Sequence, residues 1–184
     1  MKKSDNDTRK QRILDVSVSL FIHYGYDKTT IGDIAREASV SKGTIYQYFD
    51  NKESLFEELL TREMQSYGEV WLDILEADPD GGTLAGMYKA MLYAMNHNAF
   101  ISAMFKQDHH VFGSYLRQPN NFIQRTQAQQ SESPRFAFVK MMQDAGAIRQ
   151  DIDAKVIAHI MNMLVYGLVS MDDIMPSDQI PPIE

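Results

Sequence analysis

From residue 55 to residue 75 an apolar side chain returns at every third or fourth place: Leu55, Phe56, Leu59, Leu60, Met64, Tyr67, Trp71, Ile74 and Leu75. An α-helix with one dry face needs that period, whereas a strand would alternate every second residue. Taken from about Asn51 to Glu76, the helix would be roughly 40 Å long at 1.5 Å per residue, enough to join a head to a body. Leu84, Met87, Tyr88, Met91, Leu92 and Met95 keep the same spacing, and no segment sustains a period of two. The chain is therefore expected to be all-α, with eight or nine helices and no internal repeat.

The boundaries follow from local chemistry. A first helix runs from about Thr8 to Tyr24, with Ile13, Leu14, Leu20, Phe21 and Tyr24 as its stripe, and Gly25 suits the left-handed residue that ends a helix. Thr30, with Asp33 three residues on, reads as the N-cap of a short helix carrying Ile34, Ala35 and Ala38. "SVS" breaks it, and Ser41 can cap the next helix, "KGTIYQYF". Asp50 with Glu53 reads as a capping box opening the long helix. "DPDGG" closes that helix. Two shorter helices follow, near Ala99–Lys106 and His109–Arg117, before a polar stretch. Ser133 and Pro134 then fit N-cap and N1 of a helix ending at Gly146, and Asp153 caps a last apolar helix reaching about Asp172.

Composition narrows the function classes. The 184 residues include no cysteine, so disulfides and thiolate metal sites are excluded, in keeping with a reducing cytoplasm. No secretory leader is expected, because "MKKSDNDTRKQR" has no apolar run behind it. "IAHIMNMLVYGLVSM" is too short and too polar to span a bilayer, so a soluble chain without membrane contact is expected. Net charge is −7, yet residues 1–52 hold nine Lys/Arg against seven Asp/Glu, and residues 53–184 hold nine against eighteen. A mildly basic head on an acidic body suits a modular DNA binder, since a phosphate field acts over ~8–10 Å.

The stretch "SVSKGTIYQYFDNKESL" mixes core with an unusual surface. Burying Val40, Ile45 and Phe49 leaves Lys42 and Tyr46 on one exposed row, Gly43 and Gln47 on the next, and Thr44 and Tyr48 on a third. Phenols reach phosphates and stack on sugars, and a glutamine can bond adenine twice in the major groove. Glycine disfavours a helix by ~1 kcal/mol against alanine, but Gly43 near a helix start lets a backbone approach DNA.

From about Arg12 to Leu60 the chain resembles the TetR/AcrR family of bacterial transcriptional regulators. The matching pieces are the glycine after helix one, "TTIGDIAREA", "VSKGTIYQYF" and "NKESL". The resemblance implies a three-helix DNA-binding head at 1–52 and a helical ligand-binding and dimerisation domain at 53–184, working as a homodimer. By it, Thr30 and Ser41 would meet phosphates, Lys42, Gly43, Thr44, Tyr46 and Gln47 would face the groove, Tyr48 the backbone, and Lys52 a phosphate beyond the helix. Lys2, Lys3, Arg9, Lys10 and Arg12 would form a minor-groove arm or a solvated tail.

Twelve methionines, eight of them between Met87 and Met163, suit an adaptable apolar pocket as well as plain core. Met91, Met95, Phe105, Phe112, Tyr115 and Met141 are the pocket candidates, for a small hydrophobic effector. Val156, Ile160, Leu164 and Gly167 share one row of the last helix, and the resemblance places a dimer interface there. The prolines of "SDQIPPIE" read as the start of one more helix, so the family's final helix is expected to be absent or cut short. "DHH" at 108–110 is the one hook for a metal-dependent hydrolase, but adjacent histidines diverge by about 100° on a helix. No cofactor, metal site or enzymatic activity is expected. The expected function is a cytoplasmic repressor, released from a palindromic operator by its effector. The rival is a helical interaction module that binds no DNA.

Overall fold

The protein's structure, a computed structural model, describes residues 2–80, 83–129, 134–144, 146 and 148–169. Among these every regular element is helical: α1 (Lys2–Tyr24), α2 (Ile31–Glu37), α3 (Lys42–Tyr46), α4 (Lys52–Ala77), α5 (Leu84–Asn96), α6 (Ala99–Lys106), α7 (His109–Phe112), a 3-10 turn (Gly113–Arg117), α8 (Phe122–Gln129), α9 (Pro134–Asp144) and α10 (Ala154–Val169). The chain packs as two units, residues 1–117 and 118–184. Packing therefore does not divide the chain after residue 52. Ser133 and the stretch "SDQIPPIE" lie outside the described residues.

The reason the first unit extends so far is one aromatic cluster. Phe56 of α4 is fully buried, with ring centroids 4.8 Å from Phe21 of α1, 4.8 Å from Tyr26 in the α1–α2 turn, 5.7 Å from Phe100 of α6, 5.5 Å from Phe112 of α7 and 4.8 Å from Tyr115. All five meet edge to face, an arrangement adding about 0.5–1.5 kcal/mol per pair beyond area burial. Phe112 and Tyr115, expected at a ligand pocket, belong to this cluster and are completely buried in it. Their role here is packing, because the cluster is what fastens α1 to α6 and α7.

Local chemistry sets the head's helix ends. Thr30 caps α2 through a complete capping box with Asp33, and Ser41 caps α3, both as expected. The box opening α4 is displaced by one residue from Asp50 and Glu53. Asn51 Oδ1 accepts from Ser54 N–H at 2.8 Å, and Ser54 Oγ accepts from Asn51 N–H at 3.1 Å. Two corrections concern helix lengths. α3 is regular only to Tyr46, with Gln47 as its C-cap, and the chain continues by turn bonds from Tyr48 and Phe49 N–H to the Ile45 carbonyl. α1 starts at Lys2, so the basic N-terminus is helical rather than an arm, and Lys10 is paired with Glu58 at 2.7 Å.

In the second unit, α9 packs on α10. The buried Gln143 amide donates to the carbonyls of Arg149 and Ile152, each at 2.8 Å, and so holds the connection between the two helices. Asp153 accepts from Lys155 N–H at 2.8 Å, capping α10 as expected. Ala154, Ala158, Met161 and Val165 are the buried row of α10.

Candidate nucleic-acid interface

α2 and α3 form a helix-turn-helix. α2 ends on Ser39 in the left-handed region at φ 53°, while the N–H groups of Ser39 and Val40 return to the carbonyls of Arg36 and Ala35. This double bond fixes the direction in which the chain leaves α2. Ile45 and Phe49 are buried beneath α3, as the spacing predicts, and Val40 is half-buried. Their burial turns Lys42, Gly43, Tyr46 and Gln47 outward, with Thr44 and Tyr48 half-buried at the margin. Tyr46 is 54% exposed, high for so large a ring. Among the described residues Lys42, Tyr46 and Gln47 make no side-chain hydrogen bond or ion pair. Among the described residues nothing demands glycine at 43 either, since a methyl there would meet only Ser41 Oγ at 3.6 Å.

The residues expected on phosphates divide differently. Thr30 is fully employed inside the head: its N–H and hydroxyl both donate to Asp33 Oδ2, at 3.2 and 2.6 Å. Those bonds hold the Asp33 carboxyl below its usual range. Ser41 and Thr44 hydroxyls lie 2.9 Å apart. Two hydroxyls sharing one bond leave one hydrogen to donate outward. The Tyr48 hydroxyl donates to Asn6 Oδ1 on α1.

Lys52 is turned inward, a correction to its expected place on DNA. Its ammonium donates to the Tyr26 carbonyl at 2.7 Å and the Thr29 carbonyl at 3.2 Å, and stands 4.1 Å from the Tyr26 ring centre. Burial pushes it below the ordinary lysine range, against the pull of the Asp27 charge. The same α1–α2 turn is gripped from its other side. Gly25 has φ 82°, and a Cβ there would stand 2.1 Å from the His110 carbonyl. Tyr26 N–H donates to the Val111 carbonyl at 2.8 Å, and Ser114 donates to Asp27 through N–H at 3.0 Å and through its hydroxyl. The Ser114 hydroxyl is the main cause that lowers the Asp27 carboxyl. Sequence reasoning missed Asp27 and Ser114, which lie 87 residues apart.

The other candidates are spread over the molecule. Met95 is buried on α5, Met91 half-buried beside it, and half-buried Phe105 on α6 meets Tyr67 of α4 at 5.8 Å between ring centres. Met141 belongs to the second unit and is 58% exposed. A groove of about 320 Å³ opens on the head between α1 and α2, and none of the six ligand candidates lines it. Val156, Ile160 and Leu164 are each about half exposed on α10, joined by Met163, and Gly167 has open space before it. His109 and His110 are exposed, and His110 Nε2 lies 3.1 Å from the His23 carbonyl. Among the described residues no group of three His, Asp or Glu is placed to hold a metal ion, and no helix is long and apolar enough to cross a membrane.

Residues 13–59, which contain α2, α3 and the start of α4, match the bacterial regulatory proteins of the tetR family. The chain is 44% identical over 62 residues to the HTH-type transcriptional regulator QacR of Staphylococcus aureus, covering 34% of this chain and 33% of that protein. It is 31% identical over 93 residues to the HTH-type transcriptional regulator AcrR of Shigella flexneri, covering 50% and 43%. These matches span a third to less than half of the relatives' length. Over nearly the whole chain it shares a fold with the transcriptional regulator FadR of Bacillus subtilis, solved with stearoyl-CoA, at TM-score 0.67 and 20% identity, covering 94% of this chain and 90% of that one. The proteins matched are transcriptional regulators, not enzymes.

Proposed function

We propose that this chain, whose head matches the bacterial regulatory proteins of the tetR family, is a TetR/AcrR-family regulator and a homodimeric, cytoplasmic repressor that reads a palindromic operator through α3. One observation carries the reading: Lys42, Tyr46 and Gln47 stand outward and unpaired on a capped helix whose other face is buried. A protein has no internal use for such a row, and base edges and phosphates supply what it lacks. Gly43 fits the same reading, because its cost in helix stability finds its return only where another backbone comes close.

Residues 1–52 would carry DNA and residues 53–184 the effector and the partner copy. The half-exposed Val156, Ile160, Met163 and Leu164 with Gly167 form the stripe on which a second copy would pack about a twofold axis. Met91, Met95 and Phe105 of the first unit remain the residues proposed for a small apolar effector, and Met141 of the second unit is a separate proposal. Stearoyl-CoA, with which FadR was solved, joins an apolar acyl chain to a charged coenzyme A portion, so only its acyl chain is of that apolar class. The effector would act by preferring one of two body conformations. Movement of α7 would reach the head through the grip on Gly25, Tyr26 and Asp27.

The test is selection of bound duplexes from a random DNA pool by the purified protein, with the winner titrated at two salt concentrations. The expected result is an enriched palindrome whose affinity falls with salt by a slope near −0.9 per phosphate neutralised. No enrichment by a folded dimer, with and without cell extract, would favour an interaction module that does not bind DNA.

A further inference from the structure

Two glycines of the head lie in helical positions where alanine would be the better helix former, and they differ in what faces them. A Cβ on Gly43 would meet only Ser41 Oγ, at an ordinary contact distance of 3.6 Å. A Cβ on Gly32, in the first turn of α2, would stand 2.9 Å from Lys42 Cε, 3.2 Å from Lys42 Nζ and 3.4 Å from Thr30 Oγ1. The stem of Lys42 therefore lies back from α3 against Gly32, at the first turn of α2. Any larger residue at 32 would displace it. Because the crowding atoms are the far end of a flexible side chain, that displacement would leave the head's packing intact.

In a helix-turn-helix the second helix enters the major groove while the first crosses the backbone. An ammonium laid against the first turn of α2 is thus placed with the helix that meets phosphates, not with the one that meets bases. Thr30 cannot supply a donor there, since its N–H and hydroxyl both serve Asp33. Lys42 can, since it has no partner among the described residues. Resting on the DNA-binding reading above, we propose that Lys42 is a backbone-phosphate contact rather than a base reader, and that Gly32 is the positioning residue that aims it.

The experiment compares Gly32→Ala, Lys42→Ala and the double variant. Each is titrated on the palindrome selected by the wild-type protein and on a random-sequence duplex of equal length, over a range of salt, with thermal melting alongside. Lys42→Ala should weaken both duplexes by one common factor, about tenfold for a lost charged hydrogen bond, and make the salt slope shallower by about one. Gly32→Ala should melt at or above the wild-type temperature yet bind both duplexes more weakly, and it should add nothing to Lys42→Ala. Wild-type affinity in Gly32→Ala, a loss confined to the palindrome, additive losses in the double variant, or a lowered melting temperature would each overturn the proposal. If the wild-type protein selects no duplex at all, the DNA-binding reading fails first and this inference with it.

Discussion

α3 and α10 both expose a face that the other described residues leave uncovered, and the two faces ask for opposite partners. α3 is five residues long, far too short to persist alone. It exists because Ser41 caps it and because Ile45 and Phe49 are buried beneath it. What remains outward is polar, aromatic and unpaired. α10 is sixteen residues long, with one apolar row packed in the second unit and a second apolar row in solvent. A short helix held from below can spend its outer face on a polar target. A long helix with two apolar rows calls for a second apolar surface.

The largest expected effect strikes the first unit, which carries α3. Phe56→Ala removes the ring at the centre of the aromatic cluster and should lower stability by about 4 kcal/mol, read by urea denaturation. A loss below about 1 kcal/mol would mean that the cluster does not hold the head.

Next comes a pair that sets the two regions side by side. Gly25→Ala forces a side chain into a positive-φ position and against the His110 carbonyl, and should cost about 3 kcal/mol. Gly167→Ala, with nothing within 4 Å in helix α10, should not destabilise the isolated chain and should raise its stability by up to about 1 kcal/mol. If Gly167→Ala instead lowers the stability of an associated form, the α10 face is covered by another copy.

Lys52→Met separates structure from DNA contact within the head. Losing the bonds to Tyr26 and Thr29 should cost about 1 kcal/mol after allowance for solvent screening. The salt slope of DNA binding should not change. A slope shallower by about one would return Lys52 to the phosphates.

The smallest effect is on acid stability. Because the Asp27 carboxyl is held below its ordinary value near ~3.9, its contribution is present above that pH and fades as pH falls through the folded-state value. Stability should therefore decline in acid below about pH 5. Asp27→Asn should decline less steeply, by less than about 1 kcal/mol for so exposed a group.

How much of this could be read from the sequence depended on range. Thr30, Ser41 and Asp153 were legible as caps because a cap and its target N–H lie within three residues. Ile45 and Phe49 were legible because helical spacing alone aims them inward. The Asp50 box was misread by one place, since Asn51 and Ser54 offer the same chemistry in the next register. Lys52 was misread for another reason: its partners are the carbonyls of residues 26 and 29, and backbone atoms leave no mark on residue type. Phe112 and Tyr115 looked like pocket residues because an aromatic lining a cavity and an aromatic filling a core have the same spacing. Which of the two each is depends on Phe56, more than fifty residues away.

The most direct test of the central claim is the affinity of Gln47→Ala for the selected palindrome and for a random duplex. If α3 reads bases, the palindrome should lose about 1–3 kcal/mol of binding at the position Gln47 contacts, while the random duplex is bound almost as before. Equal losses on the two duplexes would contradict base reading by α3 and reduce its exposed row to a phosphate-binding surface.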